Sequence, residues 1–243
     1  MNLKNIKNIA INSTAEYLYS KFSYLLGAIV ILLIYISILV GIMAVQEERK
    51  VLLDFFVSIT QISLLLFAVF SSSLSISNDI ETKRIYMILS RPVRKSEYML
   101  GKISGVYISS FLLLLLINIV CVVVLFAKGY SVSSDYLLSL LNVYIKIVVI
   151  SSISVLFTSL TTSAFTSVAI TTMIWFISHF ITELNYALNR VSGIEEVFKY
   201  IIYIFPNFSS SLSADGMNFV LHTFLYLVAV IVFTVLSFER KEF

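Results

Sequence analysis

The sequence predicts an all-α integral membrane protein with six transmembrane helices, formed as a single membrane domain by residues 1–243. Hydrophobic residues make up 59% of the chain and charged residues only 13%, about half the charged share of a soluble domain. Seven glycines and two prolines favour long helices, because a membrane β-barrel needs many turns between short strands. The single cysteine, Cys121, lies in an apolar run, so no internal disulfide is expected.

The first 21 residues predict a short amphipathic helix at the membrane interface. They lack a continuous apolar core, so a secretory signal is not expected. Small and apolar residues recur here at helical spacing, and Lys4, Lys7 and Glu16 lie elsewhere on the helix. These small and apolar residues are Ile6, Ile9, Ala10, Ser13 and Tyr17. A frayed, solvated tail is the alternative interpretation.

Six apolar runs follow, and we expect each of them to cross a hydrocarbon core of ~30 Å. They cover residues 23–45, 52–76, 103–127, 137–160, 164–181 and 219–238. The loop between spans 5 and 6, residues 182–217, carries a shorter apolar pattern at helical spacing that ends before Pro206. This pattern is too short to cross, so it predicts a re-entrant or interfacial helix. Its apolar residues are Ile194, Val197, Phe198, Ile201 and Phe205.

The distribution of Lys and Arg predicts how the chain is oriented in the membrane. Eleven of the 17 lie on the side that holds both termini and residues 78–102, five lie on the opposite side, and Lys146 lies within span 4. Because positive residues are enriched in cytoplasmic loops, both termini are expected in the cytoplasm and the 182–217 loop outside. The basic residues are spread over three short segments, so a nucleic-acid partner is not expected.

No motif of a known catalytic site occurs in the sequence. Gly101-Lys102 is followed by Ile103, so a phosphate-binding P-loop is missing and the chain is not expected to hydrolyse ATP. The metalloprotease and serine-hydrolase motifs HExxH and GxSxG are also missing, and no catalytic residue or cofactor is predicted. His179 and Glu183 are four residues apart, but two ligands are too few for a metal site, so interfacial hydrogen bonding is the preferred interpretation.

Polar residues within the spans define a candidate translocation path. Lys146, Ser151 and Ser154 all lie in span 4, and ionisable residues within spans are costly and often functional. Two alternatives remain open. Lys146 can snorkel toward the outer surface if span 4 begins a few residues later, and small hydroxyl residues also allow helices to pack closely.

Residues 78–102, NDIETKRIYMILSRPVRKSEYMLGK, form the longest polar interruption between apolar runs on the basic side of the chain. They include six basic and three acidic residues together with Pro92. A segment this short cannot form a domain of its own, so we expect it to lie at the membrane surface and to contact whatever docks there.

This segment resembles the one between spans 2 and 3 of ABC transporter type-2 permeases. The matching residues are Glu81, Tyr86, Leu89, Ser90, Pro92, Val93, Gly101 and Lys102. YIFPNF at 203–208 resembles the outer loop before the last span of that family, and the terminal FERKEF resembles its short basic end. The resemblance covers essentially the whole chain and is strongest to the multicopper-enzyme maturation permeases.

The resemblance implies a half-sized permease of a bacterial cytoplasmic (inner) membrane, with export as its direction. Two copies, as a homodimer, would form the pathway, and separate ATP-binding subunits would bind beneath them. A cytoplasmic coupling helix within 78–102 would sit in a groove of the ATP-binding subunit, with Pro92 fixing the bend into span 3. The coupling residues implied are Glu81, Arg84, Tyr86, Leu89, Arg91 and Pro92. A plain positive-inside segment is the alternative for 78–102, and a non-transporting six-span scaffold is the alternative for the chain.

Overall fold

The computed structural model describes residues 3–44, 47–90, 93–181, 205–208 and 212–240. Over these ranges the chain consists of eight α-helices and contains no strand, so the predicted all-α class is confirmed. The helices are α1 Leu3–Leu18, α2 Lys21–Met43, α3 Glu48–Glu81, α4 Arg84–Leu89, α5 Lys95–Ala127, α6 Ser134–Thr161, α7 Ala164–His179 and α8 Leu212–Glu239. The helix predicted within 182–217 lies almost entirely outside the described residues.

Five of the described helices are long and apolar enough to cross a membrane. They are α2, α3, α5, α6 and the Phe219–Glu239 part of α8, and they fit a multi-pass membrane protein. The predicted fifth span corresponds to α7, which is apolar but has only 16 residues. At 1.5 Å per residue α7 is about 24 Å long, shorter than the ~30 Å core. Five candidate spans are therefore present among the described helices, and the six-span topology stays a prediction.

Helices α3 and α5 are much longer than a membrane requires. They have 34 and 33 residues, which at 1.5 Å per residue makes each about 50 Å long. Nearly half of the predicted 78–102 surface segment is therefore helical continuation, since α3 runs on to Glu81 and α5 already begins at Lys95. Only residues 82–94, which contain α4, lie between the two long helices.

Helix α3 occupies the centre of the bundle, because it packs against α2, α5, α6 and α7. Its large buried side chains Leu52, Phe56, Leu64 and Phe67 are completely enclosed. In α6, 61% of the most apolar stretch is buried, whereas in α8 only 11% is, so α8 lies at the edge of the described bundle. The exposed apolar surface of such an edge helix suits contact with lipid.

Helix α1 forms as predicted, but the face expected to rest on lipid packs against α5 instead. A Cβ added to Gly101 would lie 2.7 Å from the Cβ of Ile9, and one added to Gly105 would lie 2.8 Å from the Cβ of Ser13. The two glycines are four residues apart, and such pairs of small residues let two helix backbones approach closely. The face of α1 that contains Ile9 and Ser13 therefore packs into a groove that Gly101 and Gly105 form on α5.

Candidate functional site

Helix α4 is a short helix of six residues that is held by one buried face. Ile85 is completely buried and Ile88 packs against the same small hydrophobic cluster, which also contains Tyr98. On the outer face Tyr86 is 47% exposed and Met87 is 66% exposed. The helix thus presents an aromatic and a thioether side chain to its surroundings while two isoleucines anchor it.

A sharp backbone turn separates α4 from α3. Lys83 adopts the left-handed conformation with φ of 56°, which costs a non-glycine residue about 1–2 kcal/mol. The backbone N–H groups of Thr82 and Lys83 donate to the carbonyl oxygens of Asn78 and Ile80 and close the end of α3. This turn redirects the chain, so that α4 leaves the axis of α3.

The six predicted coupling residues are only partly described. Arg84 and Tyr86 are exposed on α4, and Glu81 ends α3, where it accepts a hydrogen bond from the Ser77 hydroxyl at 2.9 Å. The backbone of Leu89 ends α4, while its side chain lies outside the described part of the chain, as do Arg91 and Pro92. The role predicted for Pro92 therefore stays a prediction.

Next to α4 lies a group of residues that we call the buried charge cluster, because its central ion pair, Asp79 and Lys102, is buried. It consists of Glu16, Asp79, Arg84 and Lys102 together with the Tyr98 phenol, and the side chains of Glu16 and Arg84 are partly exposed at its edge. The Lys102 Nζ lies 2.8 Å from Asp79 Oδ2 and 3.1 Å from Glu16 Oε2. Lys102 is only 3% exposed and Asp79 only 1%. The Tyr98 hydroxyl donates to Asp79 Oδ2 at 2.7 Å, and Arg84 lies 3.6 Å from Asp79 Oδ1.

The buried charge cluster connects four helices. Glu16 belongs to α1, Asp79 to α3, Arg84 to α4, and Tyr98 and Lys102 to α5. Burying an ion costs several kcal/mol unless it is paired, so removing one partner leaves a strong penalty. The cluster therefore favours one relative arrangement of α4 and the three helices next to it, α1, α3 and α5.

The sequence pattern did not predict this cluster. Lys102 matches a residue of the family motif and Asp79 falls in the predicted surface segment, and each charge taken alone only interrupts an apolar run. A signal was present in the sequence, since an acid and a base stand at the facing ends of two consecutive spans, where they can pair. Aromatic rings complete the surroundings, with the Lys102 Nζ 5.8 Å from the Tyr17 ring centroid. Burial raises the pKa of Tyr17 to about 12, so that phenol stays neutral.

The candidate translocation residues do not converge on one surface. Lys146 is half-buried on α6, without an ion-pair partner among the residues described. The Ser151 hydroxyl donates to the Val148 carbonyl oxygen of its own helix at 3.0 Å. Ser154 belongs to a buried group of hydroxyl residues from α3, α6 and α7. That group contains Ser72, Ser73, Ser154, Thr158 and Ser167.

Hydrogen bonds within this hydroxyl group join the three helices. The Ser154 Oγ lies 3.0 Å from Ser72 Oγ and 2.8 Å from Ser73 Oγ, and the Thr158 and Ser167 hydroxyl oxygens are 2.7 Å apart. These contacts support the helix-packing alternative for Ser154. Glu183 lies outside the described residues, while the His179 ring stacks on Trp175 with centroids 5.2 Å apart.

Comparison of the chain with models of known protein families found no match, and comparison with curated proteins found none either.

Proposed function

We propose that the chain is the membrane-spanning permease subunit of an ATP-driven ABC transporter. In this proposal it works as an exporter and as a homodimer, with separate ATP-binding subunits docked on α4. The observation that carries the proposal is the outer face of α4, where Tyr86 and Met87 are exposed on a helix anchored from behind. Tyrosine is among the residues that dominate binding energy in protein interfaces.

The contacts of α4 suit a helix that transmits force. Ile85 is buried against the ends of the long helices, and Arg84 lies 3.6 Å from Asp79. A load on Tyr86 would therefore reach α3 and α5 through side-chain contacts. Coupling between subunits needs an element that moves as a unit, and these contacts provide one. A segment that served only to keep this loop on the cytoplasmic side through its positive charges would need neither the exposed tyrosine nor the buried isoleucines.

Copurification from native membranes tests the proposal. The tagged chain is solubilised in mild detergent, and proteins that accompany it are identified by mass spectrometry. We expect an ATP-binding subunit with a P-loop, and ATP hydrolysis only when that subunit is present. A stable partner without nucleotide-binding motifs would instead support the six-span scaffold, and ATP hydrolysis by the isolated chain would contradict the proposal.

Tyr86→Ala is the variant that tests the docking surface. Truncating an interface tyrosine often costs about 2 kcal/mol, so the Kd for the ATP-binding subunit is expected to rise about 30-fold. Lys83→Gln is the control, because Lys83 is exposed beside α4 and its substitution removes a charge but no aromatic surface. Binding is measured in nanodiscs by surface plasmon resonance. Wild-type affinity of Tyr86→Ala would exclude α4 as the docking surface.

A further inference from the structure

A small cavity of about 160 Å³ lies between the junction of α1 with α2 and the facing side of α3. We call it the α1–α3 cavity. Six of its eight lining residues carry a polar side chain. They are Glu16, Tyr17 and Ser20 near the junction, and Ser71, Ser75 and Asn78 on α3. Glu16 and Asn78 are exposed, so the mouth of the cavity is polar and open to solvent.

Two buried hydroxyl groups in this cavity are unused. Tyr17 is only 1% exposed and Ser71 only 6%, and neither hydroxyl has a hydrogen-bond partner among the described residues. Ser63 and Ser72, also on α3, instead donate to carbonyl oxygens four residues back in the helix. Buried polar groups are nearly always paired in proteins, and leaving one unpaired is unfavourable. Tyr17 and Ser71 therefore mark the cavity as a site for a hydrogen-bonding molecule.

The neighbouring Ser75 does not satisfy Tyr17. Burial raises the pKa of Tyr17 and the nearby Ser75 hydroxyl lowers it, but the two hydroxyl groups do not meet in hydrogen-bonding geometry. The Ser75 Oγ atom already accepts a hydrogen bond from Lys102 Nζ at 2.6 Å, so its own hydrogen remains to be donated. Even a closer Ser75 would thus act as donor and leave the hydroxyl hydrogen of Tyr17 without an acceptor.

The charges around the cavity favour a neutral occupant. The ammonium group of Lys102, which contacts the lining residue Ser75, disfavours a cation. The carboxylate of Glu16 lines the cavity and disfavours an anion, including the phosphate of a lipid headgroup. The hydroxyls of Tyr17 and Ser71 can each donate and accept, so the occupant should be able to do both.

Water meets these requirements and fits the volume. At about 30 Å³ for each molecule, the cavity has room for roughly five water molecules. We infer that the α1–α3 cavity is a water-binding site, in which bound water completes the hydrogen bonds of Tyr17 and Ser71 and bridges α1 to α3. A direct hydrogen bond already joins α1 to α5, from Asn5 to Glu97 at 3.0 Å, and the bound water adds a connection to the central helix.

Oxidation by hydroxyl radicals, formed from water by a short X-ray pulse on the chain in nanodiscs, tests the inference. Bound water beside a buried ring delivers radicals to it, so Tyr17 is expected to be oxidised at least about fivefold faster than Phe56, after correction for intrinsic reactivity. Phe56 is equally enclosed but lies in the hydrophobic core. Ser71→Leu fills the cavity and should lower Tyr17 oxidation to the Phe56 level. Ser58→Leu, the same change at an exposed position of α3, should leave it within about twofold.

Tyr17→Phe provides a second test that does not need the Ser71 variant to fold. It removes one hydroxyl, and losing a hydrogen bond to bound water should lower the thermal midpoint by about 1–6 °C. A higher midpoint would show that the hydroxyl was unpaired, and would overturn the inference. Oxidation of Tyr17 no faster than that of Phe56 would show a dry cavity. Oxidation of Tyr17 that appears only after lipid is removed would assign the cavity to a lipid headgroup instead of water.

Discussion

Replacing Lys102 with methionine is expected to destabilise the protein strongly. The methionine side chain keeps much of the volume of lysine but removes the ammonium group that pairs with Asp79 at 2.8 Å. Asp79 is only 1% exposed, so its carboxyl group would lose its nearest cation in a nearly dry environment. Arg84 lies 3.6 Å away on the other oxygen, but its side chain is half exposed.

The size of the expected loss in stability follows from the burial of both Asp79 and Lys102. Removing one member of a buried ion pair typically costs 3–5 kcal/mol, and Arg84, as a partly exposed partner, offsets only about 0–1 kcal/mol of this. We therefore expect a loss of about 3 kcal/mol. For a chain of about this length, 1 kcal/mol shifts the thermal midpoint by roughly 2–4 °C, so Lys102→Met should unfold about 6–12 °C earlier.

The assay is thermal unfolding followed by circular dichroism in one detergent for all variants. Lys50→Met is the matched control, since Lys50 pairs with Glu47 at 3.7 Å on the surface and both side chains are largely exposed. Such pairs contribute about 0–1 kcal/mol, so the thermal midpoint of Lys50→Met should shift by no more than about 4 °C.

A double variant separates loss of charge pairing from loss of packing. Asp79→Asn combined with Lys102→Met removes both charges while an amide oxygen still accepts the Tyr98 hydroxyl. Because the neutral side chains then present at positions 79 and 102 leave no unpaired ion buried, the double variant should regain most of the lost stability. Its thermal midpoint is expected within about 4 °C of that of the wild-type chain. A shift below about 2 °C for Lys102→Met, or a double variant less stable than the single one, would refute the buried-pair reasoning.

Two further predictions concern α1 and the orientation of the chain. Gly105→Ala should destabilise the protein by about 1–3 kcal/mol, because the added Cβ would meet backbone and side-chain atoms of α1. Gly27→Ala is the control and should stabilise the protein by up to about 1 kcal/mol, because nothing lies within 4 Å of the Cβ that it adds. Equal midpoints of the two variants in thermal unfolding would contradict the close contact between α1 and α5. In a Cys121→Ser background, a cysteine at Ser134 should react with an impermeant thiol reagent in intact cells and a cysteine at Asn8 should not; labelling at position 8 would reverse the predicted orientation.

The apolar spans were predictable because a membrane imposes a strong and local condition on sequence. The first run was predicted at 23–45, and α2 covers Lys21–Met43. The run at 137–160 lies within α6, Ser134–Thr161. Each span needs about 20 apolar residues in succession, so a window along the chain finds it without knowledge of the other helices.

The ion pair between the C-terminal end of α3 and the N-terminal end of α5 was not predictable in the same way. A charged residue at the end of an apolar run normally marks the membrane surface, and Asp79 and Lys102 were interpreted so. Their pairing depends on a contact between two helices, which no local window contains. The docking of α1 left a clearer signal, because Gly101 and Gly105 form the spacing of small residues that permits close helix packing.

The polar residues of the spans show why the candidate path could not be chosen from sequence. A serine within an apolar helix fits a polar pathway and a helix contact equally well, and only its partner decides. Ser154 finds the hydroxyl groups of Ser72 and Ser73 on α3, both buried, so its hydrogen bonds are used between helices. Lys146 has no acidic partner of this kind on the described helices.

The position of α4 depends on side chains more than on the backbone that precedes it. The backbone of Lys83 lies in the left-handed region of φ/ψ space, so α4 is not a continuation of helix α3. What holds α4 is Ile85 in its hydrophobic pocket and Arg84 near Asp79, which in turn contacts Lys102 of α5. A partner that moved α4 would therefore displace contacts to α3 and α5 together. Weakening the buried charge cluster should loosen this connection even where the exposed face of α4 is unchanged.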